Sequence, residues 1–341
     1  MAKEVGSEGP VAIVDRDALP RLAVLEDRLI EAEAIRAGLS VGRRPKDRRF
    51  LTVTDGKSSF MFFGGWCNRT SNPVTAMAKN KHAAKAIMKG GGASVTRGEL
   101  FHVSEKSEAL GYAACIGYPV VVKPNNGIKG SHVYVGMGSD EDVSRAFDSI
   151  SKHFNYVLIE GFFKADEYRF TLVGDKVIGV VRRIPAYVVG DGSSSVRELI
   201  DEKNIERRKN PAHPPIVVDG EVERILSSVG LGLESIPEAG RTVQLRRNSN
   251  VSTGGEAIDV TDSVADYYKE QVEMASRGFR GLYVAGFDVL IRDLSEPQGD
   301  YAIIEVNHDP MFSLHHYPWV GQPKNVARLI VQGLYPGAIR N

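Results

Sequence analysis

Residues 119–131 read PVVVKPNNGIKGS, and the rest of the chain is best interpreted outward from this stretch. The run of valines predicts a buried strand that brings Lys123 to its end. The loop that follows is small and contains Gly127 and Gly130, so its backbone amides can approach a ligand closely. A lysine beside such amides suits phosphate oxygens, although the stretch matches neither the Walker A nor the Rossmann glycine pattern. Taken alone, a hairpin with an exposed lysine is the alternative interpretation.

A second stretch, residues 157–169, reads VLIEGFFKADEYR. An apolar strand ends in Glu160, an aromatic step follows, and Glu167 comes seven residues later. Backbone and carboxylate acceptors beside aromatic surface suit an adenine amino group and ribose hydroxyls. The alternative is a strand and a turn with acidic side chains on the surface.

A third stretch combines GFDVL at 286–290 with AIIEVN at 302–307. Glu305 and Asn307 are two residues apart, so both side chains point to one face of a strand. Carboxylate and amide oxygens suit Mg²⁺, which shares its ligand shell with nucleotide phosphates. Because an unpaired buried carboxylate is costly, Asp288 inside its apolar run favours a functional interpretation over a structural one.

A fourth stretch, residues 243–255, reads VQLRRNSNVSTGG and places Arg246 at the end of a short strand, before a small polar loop. An arginine in that position can stabilise developing negative charge. An ordinary surface loop is the alternative.

Composition excludes several classes of protein. The 341 residues contain 43 Lys and Arg against 43 Asp and Glu, so the basic excess of a typical nucleic-acid-binding chain is absent. The 35 glycines amount to about 10%, against a usual ~7%, which indicates loops of special backbone geometry. With two cysteines and no CxxC, neither a disulfide framework nor a cysteine zinc site is expected. Without an apolar N-terminal region or a run of about 18 apolar residues, we expect a cytoplasmic protein that does not enter a membrane.

The predicted elements mix strands and helices with hairpins, which favours an α+β fold. Strands are expected at 11–15, 50–54, 59–63, 118–123, 132–137, 156–160, 168–173, 177–181, 283–291 and 301–306. Helices are expected at 19–37, 74–88, 140–153, 195–207, 263–278 and 325–334, with another ending at 113–116 and a basic loop at 43–49.

Taken together, these stretches resemble the ATP-grasp superfamily, from about Met77 to Leu334. Further segments resemble the ATP-grasp modules of the cyanophycin synthetase and bifunctional glutathione synthetase families. These segments are RIPA at 183–186, GDG at 190–192, ELID at 198–201, NVSTGG at 250–255, DVTD at 259–262, EVNHDP at 305–310 and HHYP at 315–318. The combination is specific, although no single segment is.

The resemblance implies roles for individual residues. It implies that Lys81 and Lys123 contact ATP phosphates, that Glu160 and the backbone of Phe163 contact adenine, and that Glu167 contacts ribose. The implied phosphate loop contains Asn126, Gly127, Gly130 and Ser131. The implied ligands of two Mg²⁺ ions are Asp288, Glu305 and Asn307. Arg246 and Lys123 would be catalytic, and the substrate candidates are Arg183, Arg246, Asn250, Ser252, Thr253, Gly254, His308 and His315.

The resemblance also implies an overall organisation. We expect an ATP-grasp fold that holds the nucleotide between two α+β subdomains. The expected segments are a reduced N-terminal region at 1–76, a small subdomain with the phosphate loop at 77–160, and a large subdomain with the metal and substrate site at 161–341. His308 and Asp309 stand where the family usually has small residues, so contacts to the substrates are expected to differ.

The implied activity is an ATP-dependent carboxylate–amine ligase that joins amino acids or similar molecules through an acylphosphate and releases ADP and phosphate. Small-molecule amino acids or peptides are the expected partners, without nucleic acid or membrane, and a homodimer is one candidate oligomeric state. A small-molecule phosphotransferase and a nucleotide-binding pseudoenzyme are the alternatives. The identities of the carboxylate and the amine stay open.

Overall fold

The computed structural model describes residues 24–43, 50–127 and 130–338. The strand expected at 11–15, the first five residues of the helix expected at 19–37 and the basic loop after residue 43 lie outside the described residues. The chain forms two compact units. The first unit comprises residues 1–69, 178–262 and 309–341, and the second comprises 70–177 and 263–308. Both units combine separate stretches of sequence, whereas the sequence suggests three consecutive segments, and that linear division stays a prediction.

The strands of the described residues agree with most of the expected ones. They are β1 Ser40–Arg43, β2 Leu51–Thr54, β3 Ser59–Phe63, β4 Trp66–Cys67, β5 Gly98–His102, β6 Val120–Pro124, β7 Tyr134–Met137, β8 Tyr156–Gly161, β9 Asp166–Val173, β10 Lys176–Ile184, β11 Tyr187–Val189, β12 Thr242–Gln244, β13 Glu256–Asp259, β14 Val284–Ile291 and β15 Tyr301–Asn307. The sequence did not indicate the short strands β1, β4, β5, β11 and β13, whereas β12 agrees with the short strand expected before Arg246.

The helices include three that the sequence patterns did not indicate, namely α7, α9 and the separate helix α2. The helices are α1 Leu25–Arg36, α2 Asn72–Lys79, α3 Lys81–Gly90, α4 Lys106–Ile116, α5 Asp140–Ser151, α6 Val196–Lys209, α7 Gly220–Ser228, α8 Asp266–Ser276, α9 Ser313–His316 and α10 Val326–Leu334. Among these described helices, none has the length and apolar character needed to cross a lipid bilayer.

The prediction of one continuous helix over 74–88 is wrong. Asn80 has extended backbone angles, with φ −89° and ψ 101°, which end α2 and begin α3. Its side-chain oxygen accepts a hydrogen bond from the backbone N–H of Ala83 at 3.0 Å. This is the N-cap interaction that asparagine forms readily. The capping residue therefore separates two helices, although the apolar pattern of residues 74–88 suggests one.

One sheet of the second unit has the antiparallel order β5-β8-β6-β7. Helices α4 and α5 cover one face of this sheet with a core that includes Phe101, Val120, Val122, Phe147, Ile150, Val157 and Ile159. Because side chains alternate along a strand, Lys123 and Glu160 project to the opposite face. Helix α3 packs against β5, and it also packs against β15.

The second unit also contains the antiparallel strands β9, β14 and β15, with β14 in the middle. Arg169 on β9, Asp288 on β14 and Glu305 on β15 stand opposite one another in register. The register shifts after Asp288, where Ile304 is the extra residue on β15. A bulge of this kind changes the direction of side chains locally, and it lies beside the two acidic residues.

The first unit contains the antiparallel sheet β1-β2-β3-β4, against which α1 packs. Helix α10 packs on α1, and Tyr335 just beyond it donates its hydroxyl to the carbonyl of Val53 on β2 at 2.6 Å. In the same unit, α6 and α7 cover the β11–β12 pair, and β10 pairs with β13. Mixed helices and antiparallel strands confirm the α+β class, while the placement of a nucleotide between two subdomains stays a prediction.

Candidate functional site

A buried cluster of charge joins β8, β6 and α3 in the second unit. Glu160 is 2% exposed and forms ion pairs with Lys123, at 3.0 Å, and with Lys85. Thr96 donates its hydroxyl to Glu160 at 3.2 Å and contacts the Lys85 ammonium group. Two ammonium groups around one carboxylate leave a net positive charge, which suits an anionic ligand.

The electrostatics of the cluster follow from its burial. Burial lowers the pKa of Lys85 from 10.5 to about 8, and the nearby charge of Lys123 acts in the same direction while Glu160 opposes it. Burial disfavours ionised Glu160, but the ammonium groups of Lys123 and Lys85 outweigh that effect and lower its pKa. Glu160 is therefore ionised at neutral pH, and Lys85 loses its proton at a pH about one unit above neutrality.

Lys85 is the residue of this cluster that sequence reasoning missed. The sequence did contain a signal, because Lys81 and Lys85 are four residues apart and share a helix face with Ala84 and Met88. All four of these residues are buried. Two lysines on the buried face of a helix need acidic or polar partners, and an isolated helix pattern does not show what those partners are.

Lys81 has a different environment. Its Nζ lies 3.0 Å from Glu305 Oε1 and donates to the carbonyl of Gly127 at 2.9 Å. The side chain therefore links the start of the loop after β6 to one of the candidate metal ligands. A role for Lys81 at ATP phosphates stays a prediction.

The candidate phosphate loop begins directly after Lys123. Asn126, Gly130 and Ser131 are exposed and Gly127 is half-buried, while residues 128–129 lie outside the described residues. A Cβ at Gly127 would lie 2.5 Å from Pro124 Cγ, so a side chain does not fit there without displacing the proline. Gly130 has φ +72°, in the region that favours glycine. The two glycines thus have backbone reasons to be present, and contact with phosphate stays a prediction.

The candidate adenine and ribose residues follow β8. Phe163 is half-buried, and the guanidinium of Arg292 lies over its ring at 5.3 Å. Glu167 is half-buried on β9, opposite Leu290 of β14. The structure therefore places both residues in the same unit as the Glu160 cluster, and their contacts with a nucleotide stay a prediction.

The three candidate metal ligands lie on β14 and β15. Asp288 is buried and forms a two-point ion pair with Arg169, which sequence reasoning did not single out. Glu305 is partly exposed and pairs with Lys81, and Asn307 Nδ2 donates to Asp288 Oδ2 at 3.4 Å. The two carboxylates and the amide are therefore adjacent, and each carboxylate has a cation beside it.

The donor chemistry of this group fits Mg²⁺. Within the described residues, no set of three His, Cys, Asp or Glu side chains is arranged to hold a metal ion. The candidate ligands are the carboxylate oxygens of Asp288 and Glu305 and the amide oxygen of Asn307, and this assignment stays a prediction. This small set agrees with the preference of Mg²⁺ for one or two carboxylates supplemented by phosphate oxygens and water.

Arg246 lies in the first unit, where it is buried and ion-paired. Its Nη1 donates to Glu221 and its Nη2 to Asp219, each at 2.7 Å, and Nη2 also contacts the carbonyl of Val217. Both terminal nitrogens are therefore engaged near the N-terminus of α7. Arg246 therefore anchors the start of α7. A role for it in stabilising an oxyanion stays a prediction.

The remaining substrate candidates divide between the units. In the first unit, Arg183 donates to Ser249 Oγ at 3.1 Å and to Asn250 Oδ1 at 3.2 Å, which brings it to the 248–255 loop. In that loop Ser252 is exposed, Thr253 is half-buried and Gly254 is buried. The structure therefore brings the candidates at 183 and 250–254 together.

The two histidine candidates are not part of that loop. His315 is buried on α9, where a Cβ at Gly179 would lie 2.6 Å from its Nδ1. His308 ends the second unit and is half-buried, and burial together with the charge of Lys79 lowers its pKa. Contacts of His308 and His315 with a substrate stay a prediction.

Comparison with known proteins agrees with this fold. Residues 80–209 match the family described as carbamoyl-phosphate synthase L chain, ATP binding domain. The crystal structure of a bifunctional glutathione synthetase from Pasteurella multocida superposes with a TM-score of 0.67 at 26% identity, covering 92% of this chain and 43% of that one. The chain thus has an ATP-grasp fold.

Two curated relatives extend the comparison. Cyanophycin synthetase of Nostoc sp. strain PCC 7120 is 34% identical over 269 residues, which cover 76% of this chain and 29% of that protein. The glutathione biosynthesis bifunctional protein of Clostridium perfringens is 28% identical over 321 residues, covering 91% of this chain and 41% of that protein. The chain is an ATP-grasp homologue of both, and it spans less than half the length of either.

Proposed function

We propose that the chain is an ATP-dependent carboxylate–amine ligase that forms an amide bond between amino acids or amino-acid-like molecules. The buried cluster of Lys85, Lys123 and Glu160 carries this proposal, because it concentrates positive charge next to the segment proposed to bind the nucleoside. One relative is named a synthetase and the other a biosynthesis protein. These names support ligation over other uses of ATP.

The proposed reaction has two steps. A substrate carboxylate oxygen attacks the γ-phosphorus of ATP, the bond to ADP breaks, and an acylphosphate forms. The amine nitrogen then attacks the acyl carbon, phosphate leaves with its electron pair, and the amine loses a proton to water. Lys123 and Lys85 stabilise the charge that develops on the transferred phosphoryl group.

In this proposal Asp288, Glu305 and Asn307 would hold Mg²⁺, which would supply charge neutralisation at the phosphates. Arg169 pairs with Asp288 and Lys81 pairs with Glu305, so each carboxylate has its charge balanced by a neighbouring cation. Lys81 also donates to the Gly127 carbonyl, so we propose that it orders the start of the loop next to Glu305. Lys85, together with Lys123, is then proposed to contact the phosphates.

A screen of amino acids and dipeptides in pairs tests the proposal, with ADP, phosphate and product mass measured together. We expect ADP, phosphate and amide in equal amounts, and only when both a carboxylate and an amine are present. ADP formation that needs no amine and yields a phosphorylated product would establish the phosphotransferase instead. ATP binding without turnover for any pair would favour the pseudoenzyme.

Glu305→Gln tests the metal assignment within this proposal. The substitution removes one negative ligand while preserving shape, so ADP formation should fall by at least about 10²-fold with an unchanged circular dichroism spectrum. Glu270→Gln is the matched control, since Glu270 is an exposed carboxylate on α8 of the same unit. Substantial turnover by Glu305→Gln would refute the assignment.

A further inference from the structure

Another ionic cluster lies in the first unit, and none of its charged residues has been assigned a role above. Arg207 near the end of α6 is fully buried, at 0% exposure. Its Nε donates to the carbonyl of Pro214 at 2.7 Å and its Nη2 to the carbonyl of Gly255 at 3.1 Å. One guanidinium therefore ties the proline-rich turn after α6 to the end of the 248–255 loop.

Glu256 and Lys203 complete this cluster. Glu256, at 1% exposure, pairs with Lys203 at 2.6 Å and lies 3.9 Å from Arg207 Nη1. Lys203 also donates to the carbonyl of Tyr187 at 2.8 Å. Arg207 and Glu256 are buried, while Lys203 is partly exposed. Placing charged groups in a protein interior is costly, and replacing them by apolar ones is often neutral or stabilising. The cluster therefore requires an explanation beyond general stability.

The 248–255 loop is closed by hydrogen bonds between its own residues. Asn248 Oδ1 accepts from the Thr253 hydroxyl at 3.1 Å, and Gly255 N donates to the carbonyl of Asn250 at 3.0 Å. Gly254 has φ +105°, and a Cβ there would lie 2.8 Å from Ile216 Cγ1. The loop thus packs closely against Ile216 at Gly254, while Ser252 is exposed.

We propose that Arg207 is a positioning residue, which fixes the 248–255 loop in the geometry needed to receive the amino-acid substrate. This inference rests on the proposed ligase function. Arg207 has no exposed surface, so it acts through the groups that it contacts, which include the two carbonyl groups and the ring of Trp319. Glu256 supports it by lying beside Nη1, the terminal nitrogen that bonds neither carbonyl.

The choice of arginine has a physical reason. The planar guanidinium presents donors in a fixed fork, so it can satisfy the carbonyls of Pro214 and Gly255 at once. A lysine at position 207 has a single terminal nitrogen and can replace only part of this arrangement. A methionine fills similar volume without any donor, and it leaves two carbonyl oxygens without their partner.

Three variants test the proposal: Arg207→Met, Arg207→Lys and, as the matched control, Arg208→Met, whose arginine is exposed on the same helix. For the amino-acid pair with the highest phosphate release, Arg207→Met should lower kcat/KM by about 10²-fold, and Arg207→Lys should recover part of that loss. The dissociation constant for ATP should stay within about twofold, because the candidate ATP residues all lie in the second unit. Arg208→Met should match the wild type in every measurement.

Hydrogen exchange of residues 248–255 supplies a readout that needs no substrate. Faster exchange in Arg207→Met than in Arg208→Met, together with the kinetic loss, supports the proposal. Faster exchange with unchanged kinetics overturns it, as does a kinetic loss without faster exchange. If Arg207→Met does not fold, Arg207→Lys and Glu256→Gln take its place with the same criteria. If the wild type makes no amide, the proposed function fails, and exchange alone decides whether Arg207 holds the loop.

Discussion

Binding of ATP should be accompanied by uptake of a proton at Lys85. Burial places the pKa of this ammonium group at about 8, with Lys123 contributing and Glu160 opposing. The phosphates of ATP would add negative charge beside it and raise that pKa, so the bound lysine keeps its proton. A lysine that is partly neutral before binding and charged afterwards must take up the difference from solvent.

The magnitude follows from the pKa of about 8. At pH 7.5 about 0.25 of the free Lys85 side chains are neutral, and at pH 9.0 about 0.9 are neutral. Proton uptake per ATP should therefore rise from about 0.25 to about 0.9, and the dissociation constant should increase about eightfold over the same range. The phosphate groups of ATP, whose last pKa is near 6, contribute little in this interval.

Calorimetric titrations with ATP in pairs of buffers of different ionisation enthalpy measure the uptake directly. Lys85→Arg keeps a positive charge at both pH values, so its uptake should fall to about zero while binding persists. Lys89→Met is the matched control, since Lys89 is exposed on the same helix and its loss should leave the uptake unchanged. An uptake below about 0.2 for the wild type at pH 9.0, or full uptake by Lys85→Arg, would refute this reasoning.

Three further predictions concern stability. Burial lowers the pKa values of His213 and His316 from 6.5 to about 3 and about 4, so the stability that these neutral rings provide is present above pH 6.5 and lost as pH falls. Urea unfolding should therefore show a loss of about 2 kcal/mol per histidine between pH 7 and pH 5, and a flat profile would contradict it. Burial raises the pKa of Glu26, so its contribution is present below 4.5 and lost as pH rises. Glu26→Gln should accordingly raise the free energy of unfolding at pH 8 but not at pH 4. An equal change at the two pH values would show that the burial of the Glu26 charge is not the cause. Gly254→Ala should lower the melting temperature by several degrees, because φ +105° and the contact with Ile216 both oppose a Cβ, and an unchanged melting curve would show that the loop relaxes freely.

The sequence by itself determined the elements whose pattern is local. Continuous apolar runs predicted β6 and β8, and they correctly placed Lys123 and Glu160 at or near the strand ends. The spacing of Glu305 and Asn307 predicted a shared strand face, and both lie on β15. These features depend on a few neighbouring residues and on the two-residue period of a strand, so a single sequence is sufficient to show them.

Only the tertiary structure decided which charged groups meet. Lys85 and Glu160 are far apart in the chain, as are Arg169 and Asp288, and no local pattern indicates either pair. The structure likewise showed that Arg246 is engaged by Asp219 and Glu221. The reason is physical: strand and helix periods follow from backbone geometry, whereas the partner of a buried charge depends on which distant segments pack together and how completely they exclude water.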